Sequence, residues 1–337
     1  MALSGAMGSG ISGLKAFMNA LNVVGNNVAN VNTYGYKAGR VTFKESIYNT
    51  QSVGSAGSDV LGGTNPNQIG YGTTVGTIDL DMSTQGLEST GRTEDCAIVG
   101  DGFFLLGDKN GVDTDNLNTL SLSRVGDFKI DDDGYLTDGA GNIVYGFVTC
   151  SNSGATPGTT PSNTVSTQLV PLRLPVADDD GNAVYPGVNG GVNVPPAGFT
   201  DAISYTNLQI DTNGRITCTN KMTKEPVVVG YIALGTVTNP AGLTKSDGPY
   251  YEISDSAGDL SISTALSSVT GNLNGDPDMP LLEGSTTKIM SKYLEQSGTD
   301  LAAEFANMIV YQRGYQANTR IVTVTDTMLE ELINMKR

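Results

Sequence analysis

Residues 300–336 read DLAAEFANMIVYQRGYQANTRIVTVTDTMLEELINMK, with no proline and a single glycine, Gly314. The larger apolar side chains fall at Leu301, Phe305, Met308, Ile309, Tyr315, Val322, Leu329 and Leu332. Their steps of threes, fours and sevens form a stripe along one helix face. A helix of this length reaches about 55 Å at ~1.5 Å per residue. Asp300 and Glu304 near its start and Lys336 and Arg337 at its end suit the helix dipole. At the other end of the chain Ile11, Leu14, Met18, Leu21, Val24, Val28 and Val31 step by 3, 4, 3, 3, 4 and 3, again a near-heptad seam. Either helix alone would fit an ordinary core. Two striped helices at opposite termini, enclosing a different middle, point to an antiparallel terminal pair packed as a coiled coil.

The first helix is expected over Ser4 to Asn32. It contains Gly13 and Gly25, each costing about 1 kcal/mol relative to alanine in a helix interior. Asn19, Asn22, Asn26, Asn27 and Asn30 are poor helix formers as well. A helix of this composition is marginal by itself in water and calls for a partner surface, to which Gly13 and Gly25 would allow close approach.

Charge and proline divide the chain in the same way. Residues 1–46 with 288–337 hold 10 Lys/Arg and 7 Asp/Glu, a net of +3; residues 47–287 hold 9 and 28, a net of −19. All 13 prolines lie between Pro66 and Pro280, so both ends are free of them, as long helices require. An acidic, lysine-poor body argues against nucleic acid and against an anionic membrane surface as partners. Termini of low net charge can pack against copies of themselves while the acidic body faces water. No apolar run approaches membrane-spanning length. The N-terminus has no signal-peptide pattern, since one lysine precedes Phe17 and glycines interrupt any apolar core.

The middle reads as a β-rich, turn-rich body. Only 16% of the chain is charged, and it holds 43 glycines. Short apolar runs at Val75 to Leu80, Cys96 to Val99, Phe103 to Leu106, Phe128 to Ile130 and Ile143 to Val148 alternate with turn dipeptides Asp101-Gly102, Asp133-Gly134 and Asp138-Gly139. Ser151 to Ser204 carries Ser, Thr, Gly and seven of the prolines, with one candidate strand at Leu169 to Val176. Strands resume at Asn207–Ile210, Arg215–Thr219, Val227–Leu234 and Tyr250–Ile253, the first two joined by the turn Asp211-Thr212-Asn213-Gly214.

Catalytic chemistry finds little support. Histidine is absent, which removes His-based triads, bases and metal ligands. Gly8-Ser9-Gly10-Ile11-Ser12-Gly13 fits G-x-G-x-x-G formally, but no strand precedes it. Asp131-Asp132-Asp133-Gly134 and Asp178-Asp179-Asp180-Gly181 lack the alternating ligands and terminal Glu of a calcium loop and read as acidic turns. Cys96, Cys150 and Cys218 lack zinc spacing and read as buried thiols, their odd number leaving cross-linking between subunits as a minor alternative. The chain is therefore expected to be no enzyme and to bind no cofactor and no metal.

Ala29, Asn30, Thr33, Gly35, Tyr36 and Lys37, just past an asparagine-rich helix, resemble the Ala-Asn-x-x-Thr-x-Gly-[Tyr/Phe]-Lys signature of bacterial flagellar axial proteins, the rod and hook family. Leu294-Glu295-Gln296-Ser297-Gly298-Thr299-Asp300-Leu301 is similar to that family's Leu-Glu-x-Ser-Asn-Val-Asp-Leu, departing from it at Gly298 and Thr299. Met308 to Asn318 resembles its Met-Ile-x-x-Gln-Arg-[Gly/Ala]-[Phe/Tyr]-x-x-Asn segment, and Ala97 to Phe104 resembles a strand pair of its first β-domain. Gly62 to Gly70 is similar to a Gly-Gly-Thr-Asn-Pro-x-Gln-[Ile/Val]-Gly stretch of hook members, and less so to rod members.

The resemblance implies a structural subunit that polymerises with itself. Its terminal helices would form the inner layer of a tube and its β-domains the outer layers. The tube would be a flexible hook carrying torque from rod to filament, with a distal rod subunit as the alternative. The implied further partners are distal rod, hook cap and hook–filament junction proteins and the flagellar export apparatus. The implied location is the extracellular flagellum, reached without a cleaved signal peptide. The expected fold is a mainly β body with long N- and C-terminal α-helices pairing as a coiled coil. Residues 1–32 plus 295–337 would form the terminal helical domain and 33–72 a connector. Residues 73–147 plus 204–287 would form a discontinuous β-domain, and 148–203 a small inserted outer domain or loop.

Overall fold

The computed structural model describes residues 2–57, 62–109, 119–151, 157–166, 169–186, 202–264 and 287–335. Lys336 and Arg337, and parts of the expected connector, β-domain and insert, lie outside them. The chain forms two compact units. One contains residues 1–32, 37–81 and 299–337; the other contains 33–36 and 82–298.

The first unit is built on helix α1, Ala2–Ala29, and helix α2, Leu301–Met335. Both end within a few residues of where the sequence stops favouring helix. Asp300 caps α2, its carboxylate accepting from the backbone N–H of Ala302 at 2.9 Å and of Ala303 at 3.3 Å, which satisfies donors that a helix start leaves open. The helices run antiparallel. Strand Gly39–Glu45 pairs antiparallel with Thr73–Leu80 in this unit, with a register shift between Val41 and Phe43. A second hairpin pairs Tyr48–Ser52 with Asn67–Gly70, and every residue of Tyr48–Ser52 is exposed. The Ser12 hydroxyl ties α1 to the chain between the hairpins, donating to the Tyr71 carbonyl at 3.1 Å.

The second unit is a mainly β body. Among the described residues its large sheet has 13 strands, antiparallel throughout. Its main path runs Tyr205–Ile210, Arg215–Asn220, Pro226–Val237, Ile143–Ser151, Phe103–Gly107, Ser121–Ser123, Tyr250–Glu252, Thr244–Lys245. Ile143–Ser151 is buried at every position, as a strand with neighbours on both edges and cover on both faces should be. Arg215–Asn220 alternates instead, with Ile216 and Cys218 inward. Phe104 and Phe128 meet edge to face in the core at 5.0 Å.

The run from Leu169 to Val176 is two short strands with different partners: Val170–Pro171 pairs with Ile143–Ser151, and Val176–Ala177 pairs with Ala183–Val184. Four turns share one design. Asp131, Asp138, Asp178 and Asp211 each accept at their carbonyl from the N–H of the glycine three residues on, and Gly134, Gly141, Gly181 and Gly214 all have positive φ. The acidic triplets at 131–133 and 178–180 are thus turn chemistry. At 138 the left-handed residue is Gly141, not Gly139.

Candidate functional site

The terminal helices meet along a face that the apolar stripes mark only in part, at Val24 and Val322. The buried residues of α1 are Gly10, Gly13, Ala16, Ala20, Val24 and Asn27, again at threes and fours. A Cβ on Gly10 would lie 3.1 Å from Val322 Cγ2, and one on Gly13 would lie 2.8 Å from Asn318 Oδ1. A Cβ on Gly314 would lie 2.7 Å from the Phe17 ring. The helix backbones approach closely because small residues let them. Phe17 also stands 5.5 Å from Phe43 and 6.2 Å from Tyr311, and these last two are 5.9 Å apart, so an aromatic triangle joins α1, α2 and strand Gly39–Glu45. Gly25, also expected to permit close approach, faces open space.

At the far end of the seam Asn27, only 1% exposed, holds three chain segments together. Its amide donates to the Gly39 carbonyl at 2.8 Å and to Glu304 Oε1 at 3.0 Å, and its Oδ1 accepts from the Gly39 N–H at 3.0 Å. The Thr299 hydroxyl donates to the Asn27 carbonyl at 3.2 Å. Thr325, the buried residue of α2, turns its hydroxyl back to the carbonyls of Ile321 and Val322.

The residues of the two sequence stripes lie mostly outside this seam. Val24 is buried, and Leu14, Leu21, Val28, Val31, Met308 and Val322 are half-buried. Ile11, Met18, Leu301, Phe305, Ile309, Tyr315, Leu329 and Leu332 are exposed, Ile309 at 59% and Leu332 at 56%. Val310, Ile321, Val324, Met328 and Ile333 add to the exposed apolar area of α2. Within one chain the large apolar side chains of α2 are chiefly displayed, and the close approaches set Gly10, Gly13 and Gly314 against Val322, Asn318 and Phe17.

The motif after α1 is positioned by hydrogen bonds and one close approach. Ala29 is exposed, and the half-buried Asn30 donates its amide to the Asn26 carbonyl at 2.9 Å, closing the helix end. Thr33 is exposed and Lys37 fully buried. Gly35 has φ +65 and donates its N–H to the Glu295 carbonyl at 2.8 Å. A Cβ there would lie 2.9 Å from Val125 Cγ2 and 3.1 Å from the Arg124 backbone, so this position needs glycine on two counts. The Tyr36 carbonyl accepts from the Gly298 N–H at 2.9 Å, and the Lys245 ammonium stands 4.1 Å over the Tyr36 ring. Burial holds Lys245 below its ordinary pKa.

Beneath this loop lies an ion pair that sequence reading missed. The Arg124 guanidinium stands 3.7 Å from Glu295 Oε2, and the two side chains are 2% and 0% exposed. Burial pulls the Arg124 pKa down, while Glu295 acts in the opposite direction; a guanidinium remains charged nonetheless. Arg124 also donates to the Gly100 carbonyl at 2.9 Å, and Glu295 Oε1 accepts from the Gln85 N–H at 2.9 Å. The partners are 171 residues apart in sequence, and no local pattern joins them.

Cys96, Cys150 and Cys218 are free and buried. Burial pushes the Cys218 thiol up to about 11 and Cys96 further still, which leaves little thiolate at neutral pH. Among the described residues no group of three or more Cys, Asp or Glu is placed to hold a metal ion. Neither helix is long and apolar enough, over its described residues, to cross a membrane.

Two segments of this geometry match known families. Residues 7–37, which span most of α1 and the loop after it, match the family described as Flagella basal body rod protein. Residues 290–335, which contain Glu295 and α2, match that described as Flagellar basal body rod FlgEFG protein C-terminal. Over 98% of its length the chain is 35% identical to the flagellar basal-body rod protein FlgG of Bacillus subtilis, and it covers 98% of that protein. The chain belongs to the flagellar rod and hook axial family. Two proteins of Borreliella burgdorferi, one hook and one rod, also match along nearly the whole chain. The flagellar hook protein FlgE is 26% identical over 97% of this chain and 98% of that protein; the rod protein FlgG is 26% identical over 98% of both. This axial family supplies structural components of the flagellum, and the chain is a structural axial protein in that sense.

Proposed function

We propose that this axial protein polymerises with itself into a tube, and that the tube is the flagellar hook, a flexible joint passing torque from rod to filament. The observation that carries self-assembly is the exposed apolar row of α1 and α2. Leu301, Phe305, Ile309, Tyr315, Leu329 and Leu332 remain accessible although the two helices are already packed together. An apolar surface of this length on a chain of net charge −16 suits burial against further copies of the same helices. In the polymer the helices of neighbouring copies pack as coiled coils in an inner layer, through the residues of the two stripes. The acidic β body lies outside, with residues 73–147 and 204–287 as one β-domain and 148–203 as its outward insert.

Full-length relatives include both kinds, among them a hook protein and a rod protein of one organism. The hook reading is favoured by the Gly62 to Gly70 stretch, which leads into and forms one strand of the exposed hairpin Tyr48–Ser52 with Asn67–Gly70. The rod reading is favoured by the 35% identity to the Bacillus subtilis rod protein along nearly the whole of both chains. As a hook subunit the chain would be exported by the flagellar type III apparatus and would contact distal rod, hook cap and hook–filament junction proteins. Electron microscopy of tubes grown from the purified subunit distinguishes the two. Curved, supercoiled tubes are expected of a hook, and rigid straight tubes would replace that reading with the distal rod.

A further inference from the structure

Three facing pairs run along the α1–α2 seam in equal strides. Gly13 receives Asn318, Gly314 receives the Phe17 ring, and Asn27 donates to Glu304. Four residues along α1 are matched by four back along α2, and the next ten by ten. The holes are reciprocal: α1 supplies the glycine at the first pair and α2 at the second.

We infer that Gly13, Gly314 and Asn27 are positioning residues that fix the axial register of the two terminal helices within each subunit. Sliding α2 by four residues in one direction brings Phe17 against Asn318 and removes its hole. Sliding it four residues the other way sets Gly13 against Gly314 and leaves a void. Either slide takes Glu304 away from the buried Asn27 amide, which then loses an acceptor. A polar residue buried in a helix seam can specify register in this way. The pairing lies within one chain, so the inference holds for a hook or a rod subunit alike.

A disulfide reporter reads register directly. In the full-length chain, assembled into tubes and oxidised, G10C/V322C should cross-link within the chain, since a Cβ at position 10 lies 3.1 Å from Val322 Cγ2. G10C/T325C, the reporter for a slide of about one turn, should not. Adding Gly314→Ala should shift the ratio of the two yields toward position 325 by about tenfold or more, the scale of an overpacked contact. Adding Phe17→Leu to that variant should restore the ratio, and restore assembly should Gly314→Ala abolish it. Adding Asn27→Leu to each reporter should raise the position-325 yield in the same direction. A ratio unmoved by Gly314→Ala or by Asn27→Leu overturns the inference, as does a Gly314→Ala defect that Phe17→Leu leaves in place. Cross-links found only between chains, seen as a ladder on a non-reducing gel, also overturn it.

Discussion

Removing Glu295 tests whether the buried pair beneath the motif loop stabilises the β body. The carboxylate is 0% exposed and stands 3.7 Å from an Arg124 guanidinium that is 2% exposed. Glu295→Ala leaves that guanidinium charged and uncompensated, which costs about 3–5 kcal/mol. The Gln85 N–H loses its 2.9 Å acceptor, adding about 1 kcal/mol. A total of about 5 kcal/mol corresponds to roughly 10–20 °C of melting temperature for a unit of this size, at ~2–4 °C per kcal/mol. Scanning calorimetry of the full chain, with the near-ultraviolet tyrosine signal to identify the transition, measures the shift. Arg124→Met combined with Glu295→Leu removes both charges and should recover at least half of the loss, although the Gly100 carbonyl then loses a donor. A single variant melting within about 2 °C of the parent would refute the reasoning, because an orphaned buried charge cannot be that mild. A double variant no better than the single would equally show that size and packing, not charge, matter at this position.

Gly35→Ala should cost about 2–4 kcal/mol, combining the left-handed backbone penalty with a Cβ 2.9 Å from Val125 Cγ2; urea melts that coincide with the parent would remove the loop from the β body's energetics. Leu14→Asp or Leu329→Asp should abolish or severely weaken assembly while leaving the circular dichroism of the β body unchanged. A buried unpaired carboxylate costs several kcal/mol, and each ~1.4 kcal/mol raises the critical concentration about tenfold. Asp180→Ala, in an exposed turn, should assemble as the parent does; sedimentation of tubes reads all three, and normal assembly of the leucine variants would reverse the assignment of inner and outer surfaces. Deletion of residues 1–30 or 300–337 should leave a soluble, folded β body that forms no tubes, and tubes of normal diameter from either truncation would contradict the helical inner layer.

The helices and the turns were legible in the sequence for local reasons. A 3.6-residue apolar period without proline marks α1 and α2, and Asp300 and the Asx-Gly turns are short-range signals. The division of charge and proline located the β body between them. The seam was harder to read, because hydropathy weighs large side chains and the helices touch through small ones. Gly13 gives a hint, whereas nothing around Gly314 in the sequence marks it as the position that the Phe17 ring fills. The spacing of Leu301, Phe305 and Ile309 predicts a face turned to a partner, yet in the single chain they face outward. The Arg124–Glu295 pair could not be found from spacing, since only the folded sheet brings residues so distant in sequence together.

Hydrogen–deuterium exchange of the unmodified chain, compared between free subunit and assembled tubes, tests most directly whether the exposed helical rows become the interior of the polymer. Peptides within 5–29 and 301–335 should exchange far more slowly in the tubes, because their opening now requires breaking contacts with neighbouring copies. Peptides spanning the acidic turns at 131–135 and 178–182 should exchange at the same rate in both states. Protection confined to the β body, with the helices exchanging as in the free subunit, would contradict assembly through the terminal helices.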